Sequence, residues 1–504
     1  MNGILAVDIG TTSVRSILYD EGGRAGPADQ VMNPPLYFND GRVEQDADTW
    51  PRLLLEVLGR AAEEAERRSL KIACISLTSP RSSVIPVDAA GGALHPAIMW
   101  QDLRTLALSE ELSPNDFLVR SKTGSRISPV MSAVKMLWFR RELPEIFART
   151  RKMVGIHDFA LHALTGRFVT DPSVASRTNL LDLESRAWDS ELAGIFEVDA
   201  SLLSELVPVG SVVGGLSADF ARETGLASGT PVVSAGGDQQ CAALGLGLFS
   251  ADHAVSNTGT GSYVLGHSAL PKIDAEARVT CSVSALPGAY VVEAAVPTSG
   301  AVYRWFKERL WNGPIPAGDP YAAMNAEAEA AGPGAHGVAL LPHLSGSGTP
   351  WWDPAARGNF SGLSSGTTRG DLARAILEGI AFDLAECLEV VEEVCGDVTC
   401  VDVAGGLSLA TVFNRIEADA FGRTVLRRED GSEATSLGAF IAGAVAMGMA
   451  ADYPAAFDKA VLGRSVDRYE PDPATREIYG RLRRKNRSLY TAIASAMGRE
   501  GTGA

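Results

Sequence analysis

Ile4-Leu5-Ala6-Val7-Asp8-Ile9-Gly10-Thr11-Thr12-Ser13-Val14-Arg15-Ser16-Ile17-Leu18-Tyr19 is the stretch whose reading decides the fold. Two apolar runs, 4–7 and 14–19, flank a polar turn built on Gly10, Thr11, Thr12 and Ser13, which predicts two tightly joined strands. The pattern recurs at Ala254-Val255-Ser256-Asn257-Thr258-Gly259-Thr260-Gly261-Ser262-Tyr263-Val264-Leu265. Gly10 and Gly259 stand half a chain apart, so a strand–turn–strand unit repeated once per half predicts two related domains facing one cleft.

Outward from these turns, strand-like runs alternate with helical ones. Residues 71–77 and 230–234 read as strands, and 50–68 and 144–151 as helices. In the second half 338–341 is a predicted strand, 371–394 a long helix, and 398–403 a strand. Residues 410–421 and 436–447 read as helices, the former entered from the turn Ala404-Gly405-Gly406. Strands alternating with helices define an α/β class. Residues 313–320 read as a surface loop and 498–504 as a low-complexity end.

The 504 residues carry 45 Lys and Arg against 61 Asp and Glu, a net charge of −16, with 46% hydrophobic and 21% charged residues. Such a chain fills more than one core, and its length fits two or three domains at roughly 150 residues each. The acidic balance argues against nucleic acid as a partner, because phosphate contacts need a basic face. Cys74, Cys241, Cys281, Cys387, Cys395 and Cys400 include no C-x-x-C pair. They are expected as buried reduced thiols, not as a disulfide frame or a structural zinc site. Asp8 falls where a signal peptide needs its apolar core, and the greasiest run, 437–451, is shorter than the roughly 20 residues of a membrane span. The expectation is a cytoplasmic protein with no membrane partner and a buried helix at 437–451.

Two familiar motif matches fail on context. Gly332-Pro333-Gly334-Ala335-His336-Gly337 fits G-x-G-x-x-G but follows a helix and precedes a strand, the reverse of a dinucleotide turn. Gly362-Leu363-Ser364-Ser365-Gly366 fits a serine-hydrolase elbow, yet no aliphatic strand is expected to run into it. No P-loop motif occurs, and His157 and His162 are spaced off one helical face.

The two glycine turns pass the same test. Small residues let the backbone approach a phosphate closely, and Thr or Ser hydroxyls add donors. Asp8 ends the strand before the first turn, where a carboxylate can hold Mg²⁺ bridging phosphates. A plain hairpin is the competing reading of one such turn, and the repetition weighs against it. In Ser234-Ala235-Gly236-Gly237-Asp238-Gln239-Gln240-Cys241-Ala242-Ala243 a strand ends in two glycines and Asp238 opens a small-residue helix. Phosphoryl transfer to a hydroxyl needs a carboxylate that orients and deprotonates the nucleophile. Local sequence alone favours a helix N-cap aspartate, which contributes about 1 kcal/mol of stability.

Together these stretches resemble the FGGY carbohydrate kinases, the group of glycerol kinase, xylulokinase and gluconokinase, over nearly the whole chain. Residues 8–13 with Arg15 look like the family's first phosphate motif, and Gly259-Thr260-Gly261-Ser262 like its second. Trp100-Gln101-Asp102-Leu103-Arg104 is similar to a W-x-D-x-R segment, and Leu164-Thr165-Gly166 with Thr170-Asp171 to another shared stretch. Gly236-Gly237-Asp238-Gln239 resembles the catalytic-base motif, 353–363 with Leu377-Glu378-Gly379 the family signature, and Ala404-Gly405-Gly406 the adenosine motif.

The resemblance implies two actin- and hexokinase-like (ribonuclease H-like) ATPase domains flanking an interdomain cleft. Residues 1–247 would hold the sugar site, first phosphate turn and base, and 248–504 the second phosphate turn and adenosine site. ATP and Mg²⁺ are the implied cofactors. Carried over residue by residue, Thr11, Thr12, Ser13, Arg15, Thr260, Gly261, Gly300 and Arg304 fall on nucleotide positions, although the family often has Gln where Arg304 stands. Gly405, Gly406 and Ala410 fall on the adenosine side, Ala410 where glycerol kinases carry Asn. Asp238 falls on the base and, with Asp8, on the metal side; Arg81, Ser82, Trp100, Asp238 and Gln239 fall on the acceptor. Glycerol kinases have Arg-Glu at the place of Arg81-Ser82 and xylulokinases Met-His, and Val130 replaces a glycerol-kinase Tyr. The roomier pocket favours a xylulokinase-like, pentulose-sized acceptor over glycerol, another polyol or gluconate. Two rivals stand beside this reading: a non-catalytic actin-like nucleotide switch, which needs no sugar pocket, and a hydrolase at Ser364. A homodimer stays open.

Overall fold

The computed structural model describes residues 1–311, 319–429 and 433–497. The expected loop at 313–320 lies outside them up to residue 318, as does the low-complexity end at 498–504.

Strands Asn2–Ile9 and Ser13–Asp20 form the first hairpin, with Asp8 opposite Arg15, and Asp29–Met32 adds a third antiparallel strand. Lys71–Ser79 then pairs parallel with Asn2–Ile9, and Pro231–Gly237 parallel with Lys71–Ser79, in a six-stranded sheet. The second half repeats the order. His253–Thr258 and Ser262–Ser268 form a hairpin, Tyr290–Val296 is the third antiparallel strand, and Cys400–Gly405 and Thr424–Arg428 follow in parallel. The repeat seen as two glycine turns is therefore a duplication of topology.

Strand Asn2–Ile9 is buried on both faces, as a central strand covered by helices must be. Its alternation divides the core: Leu5, Val7 and Ile9 pack with helix Thr49–Arg67, while Ile4 and Ala6 pack with helix Ala434–Ala446. Each fully buried Leu, Ile or Val contributes about 1.5–3 kcal/mol.

Helix Ala434–Ala446 thus comes from the second half and covers the first sheet. It also crosses helix Asp238–Gly245 at contact distance: a Cβ on Gly438 would stand 1.9 Å from Cys241 O, and one on Gly245 1.9 Å from Ala434 O. The buried helix expected at 437–451 ends earlier, at Ala446, and Gly448 turns the chain with φ +68°. The helix expected from Ala410 begins at Thr411, after a 3₁₀ turn Gly406–Leu409. Helix Arg369–Cys395 starts on a capping box of Thr368 and Asp371.

One expectation is overturned. A short strand, Asn359–Ser361, does run into the Ser364 stretch, because it pairs with Ala339–Leu341. Ser364 itself is exposed in a turn, where its hydroxyl accepts the Gly366 N–H at 3.3 Å. All six cysteines are free thiols, four of them buried and Cys395 and Cys400 half-buried. Among the described residues no helix is long and apolar enough to cross a membrane.

Candidate active site

Strand Lys71–Ser79 lies between Asn2–Ile9 and Pro231–Gly237, and all three run the same way. Their carboxyl ends therefore come together: Asp8 pairs with Thr78, and Gly237 with Ser79. Thr78 Oγ1 donates to Gly236 O at 2.8 Å and ties two of the ends. The carboxyl ends of parallel strands are where open α/β sheets bind ligands. Here they deliver Asp8, Arg81 and Asp238.

Asp238 is the first residue of its helix, and Gly237 occupies the cap position without a side-chain cap bond. The N-cap reading is thereby corrected. Asp238 Oδ1 accepts the Gln239 N–H at 2.8 Å, and its side chain stays 27% exposed. The turn before it is fastened from beneath. Asp171 Oδ1 accepts the Ser173 hydroxyl at 2.5 Å, and Ser173 Oγ accepts the Gly237 N–H at 3.0 Å. Asp171 Oδ2 accepts the Ser234 hydroxyl at 2.6 Å, and Ser234 Oγ lies 2.8 Å from His157 Nε2. These groups are buried, and burial pulls the His157 pKa below its ordinary value.

Arg81 joins both halves of the chain. Its Nε lies 3.4 Å from Asp238 Oδ1 and its Nη2 3.3 Å from Glu293 Oε2, while Nη1 is shut off from solvent with no hydrogen-bond partner among the described residues. Glu293 and Tyr263 come from strands Tyr290–Val296 and Ser262–Ser268. Leu265 pairs with Glu293, which sets Tyr263 and Glu293 diagonally on one sheet face. Arg177 Nη1 lies 3.9 Å from Glu293 Oε1 and donates to Thr280 Oγ1 at 3.4 Å.

Charge and burial compete across this cluster. Burial raises the Asp238 pKa above its ordinary value, more than Arg81 lowers it. For Glu293 the outcome reverses: burial raises it, but the two guanidiniums hold it below the usual range. Asp8 is pushed up to about 7 by burial and then by the Asp238 charge, and its Oδ1 has no hydrogen-bond partner among the described residues.

Trp100 Nε1 donates to Thr11 Oγ1 at 3.3 Å, linking the W-x-D-x-R segment to the first turn. Asp102 and Arg104 of that segment serve the fold: Asp102 Oδ2 accepts the Val43 N–H at 2.6 Å and Arg104 Nη2 at 2.8 Å. Ser82 is buried with φ +69°, and its hydroxyl donates to Arg177 O at 3.4 Å. Gln239 Oε1 is buried without a hydrogen-bond partner among the described residues. In the first turn Thr12 O accepts the Asn33 N–H at 2.7 Å, and Ser13 Oγ accepts Gln30 Nε2 at 2.7 Å. Arg15 pairs with Glu433 at 2.7 Å, just before helix Ala434–Ala446.

The second turn is clasped by the start of helix Gly300–Arg309. Gly300 N–H donates to Gly259 O at 3.0 Å, and Thr260 O accepts the Ser299 and Ala301 N–H groups at 3.0 and 3.2 Å. Gly261 O accepts the Gly259 N–H at 2.9 Å. Arg304 is exposed one helical turn along. Thr258 pairs with Gly405, so the adenosine-motif turn lies beside the second phosphate turn. Gly405 has φ +87°, and a Cβ there would stand 2.3 Å from Thr258 O. Gly406 faces open space, whereas Ala410 is buried in the second-half core. Among the described residues no three His, Cys, Asp or Glu side chains gather as a metal site.

Sequence reading missed Glu293, Arg177, Tyr263 and Ser173. A lone acid inside Tyr290-Val291-Val292-Glu293-Ala294-Ala295-Val296 was the one available signal for Glu293. Ser176-Arg177-Thr178 carries none.

Family models for the "FGGY family of carbohydrate kinases", N-terminal and C-terminal domains, match residues 3–245 and 254–447. The chain belongs to the FGGY family of carbohydrate kinases. It is 35% identical over 473 residues to a glycerol kinase from Alkalilimnicola ehrlichii, covering 90% of this chain and 92% of the relative. It is 28% identical to a gluconokinase from Bacillus subtilis, covering 97% of each. A ligand-bound xylulose kinase from Lactobacillus acidophilus superposes with a TM-score of 0.90 at 25% identity over 99% of each chain. Plasmodium falciparum glycerol kinase with ADP superposes with a TM-score of 0.87 at 25% identity over 98% of each. The expected pair of actin- and hexokinase-like domains is borne out. As an FGGY kinase the chain is a phosphotransferase, and the nucleotide-switch and hydrolase readings give way.

Proposed function

We propose that this FGGY kinase transfers the γ-phosphoryl group of ATP to a terminal hydroxyl of a sugar or polyol, with Asp238 as general base. The observation that carries the reading is the contact of Asp238 with Arg81, whose Nη1 is buried without a partner among the described residues, as is Oε1 of the adjoining Gln239. A hydroxyl-rich acceptor satisfies both, which removes the cost of leaving them unpaired. Arg81 forks onto neighbouring hydroxyls, Trp100, Ser82 and Gln239 line the acceptor, and Asp238 takes the proton as the oxygen attacks phosphorus. Burial raises the Asp238 pKa above its ordinary value, which makes its carboxylate a stronger base toward the hydroxyl proton.

The half 248–504 supplies most of the nucleotide contacts. Thr260 and Gly261 cradle phosphates with backbone N–H groups and the Thr260 hydroxyl, Gly300 holds that turn from behind through its bond to Gly259 O, Arg304 adds charge, and Gly405, Gly406 and the backbone at Ala410 take the adenosine. Thr11, Thr12, Ser13 and Arg15 of the half 1–247 close on the phosphates from the other side. Asp8, whose Oδ1 is buried and unpartnered, fits a hard cation, with Asp238 as its second carboxylate. Mg²⁺ bound there would neutralise charge on the phosphate oxygens.

A pentulose-sized acceptor is favoured by the small side chains of Ser82 and Val130. A glycerol-sized acceptor is the second reading, supported by Arg81 and by the glycerol kinase relatives at 35% identity. Acceptor-stimulated ADP release, measured over pentuloses, polyols and aldonates, separates them. Stimulation by a pentulose at the lowest KM supports the first, and by glycerol the second.

A further inference from the structure

Glu293 is 5% exposed, on the central sheet of the second half, and its two oxygens are divided between two guanidiniums of the first half. A buried carboxylate offered to two half-buried arginines is an expensive arrangement unless it fixes their geometry. Arg81 shows what is fixed. Its Nε and Nη2 are held at 3.4 and 3.3 Å by Asp238 and Glu293, so the planar guanidinium has one orientation, and the remaining Nη1 is buried and unpartnered. Arg177 braces the other side of Glu293 while its backbone carbonyl accepts the hydroxyl of Ser82, the residue after Arg81. The Asp238 helix docks on the same sheet, where Ala242 and Ala243 pack with Leu265, the cross-strand neighbour of Glu293.

We infer that Glu293, braced by Arg177, is a positioning residue of this kinase: it aims Arg81 at the acceptor hydroxyls, so the acceptor site is completed by the second half of the chain. The inference rests on the reading of Arg81 as an acceptor ligand. Glu293 touches neither the reacting hydroxyl nor the phosphate, and acts through Arg81. The consequence is that recognition of the acceptor by Arg81 depends on the two halves standing face to face.

The test is a double-mutant cycle on the full-length protein, with the KM for the best acceptor, the KM for ATP and kcat measured for each variant. Glu293→Gln should raise the acceptor KM on the order of tenfold while the ATP KM moves less than about twofold. Glu293→Asp, which keeps the charge, should recover part of that loss. In the Arg81→Ala background Glu293→Gln should add no further change in acceptor KM, because the residue it orients is gone. Equal and additive losses in both backgrounds, or an unchanged acceptor KM in Glu293→Gln, would overturn the inference. A wild-type chain that phosphorylates no acceptor would instead sink the functional reading beneath it. If Glu293→Gln fails to fold, Glu293→Asp carries the cycle, with a smaller rise in acceptor KM that again vanishes in Arg81→Ala.

Discussion

Arg81 Nε rests 3.4 Å from Asp238 Oδ1, so the arginine that would select the acceptor also touches the carboxylate that would activate it. Recognition and chemistry share one contact. Removing Arg81 therefore has two effects: it deletes hydroxyl donors, and it strips Asp238 and Glu293 of a buried cation. Arg81→Ala should raise the acceptor KM on the order of ten- to a hundredfold, with a smaller fall in kcat. Steady-state kinetics with the best acceptor check this, and an unchanged KM removes Arg81 from the pocket.

Ser173 holds the turn that presents Asp238, since its Oγ accepts the Gly237 N–H at 3.0 Å and its hydroxyl bonds Asp171. Ser173→Ala leaves a buried N–H unpaired, at a cost of about 1–3 kcal/mol, and frees the turn to shift. The expected outcome is a lowered melting temperature together with a kcat reduced more than either KM. A kcat equal to wild type at a lowered melting temperature would confine Ser173 to stability.

Glu417 lies buried under strand His253–Thr258, where Oε1 accepts the Ser256 hydroxyl at 3.3 Å and Oε2 has no partner among the described residues. Burial pushes its pKa from 4.5 up to about 8. Between those values the folded chain binds a proton that the unfolded chain has lost, so the Glu417 contribution to stability falls as pH rises through that window. Glu417→Gln, which cannot ionise, should lose less stability than wild type between pH 5 and pH 8. Denaturant titrations at both pH values decide it, and identical pH slopes would contradict it.

The parts legible in the sequence are those whose cause is local. The two hairpins follow from apolar runs around Gly10 and Gly259, and Asp238 announces itself by ending a strand in two glycines. The rest depends on partners distant in the chain. Glu293 and Arg177 meet because two sheets face each other, and no spacing within either segment records that. Helix Ala434–Ala446 reads as buried from composition, but its partners lie far off in the chain: Gly443 stands against Ile4, Ser76 and Cys74 of the first sheet, and Gly438 and Gly245 let two helices touch. The N-cap reading of Asp238 failed because Gly237 already has the extended backbone of a cap, φ −68° and ψ 154°, one residue earlier.

With Gly237 at the cap, Asp238→Asn removes a proton acceptor while keeping the size of the side chain and disturbing no cap bond. The measurement is kcat for acceptor-dependent ADP release by wild type and Asp238→Asn, with the phosphorylated acceptor identified as product. The account predicts a folded variant with little-changed ATP affinity and a kcat lowered about 10²–10⁴-fold. A variant that keeps more than about a tenth of the wild-type kcat would contradict it, because that loss is smaller than a positioned general base supplies.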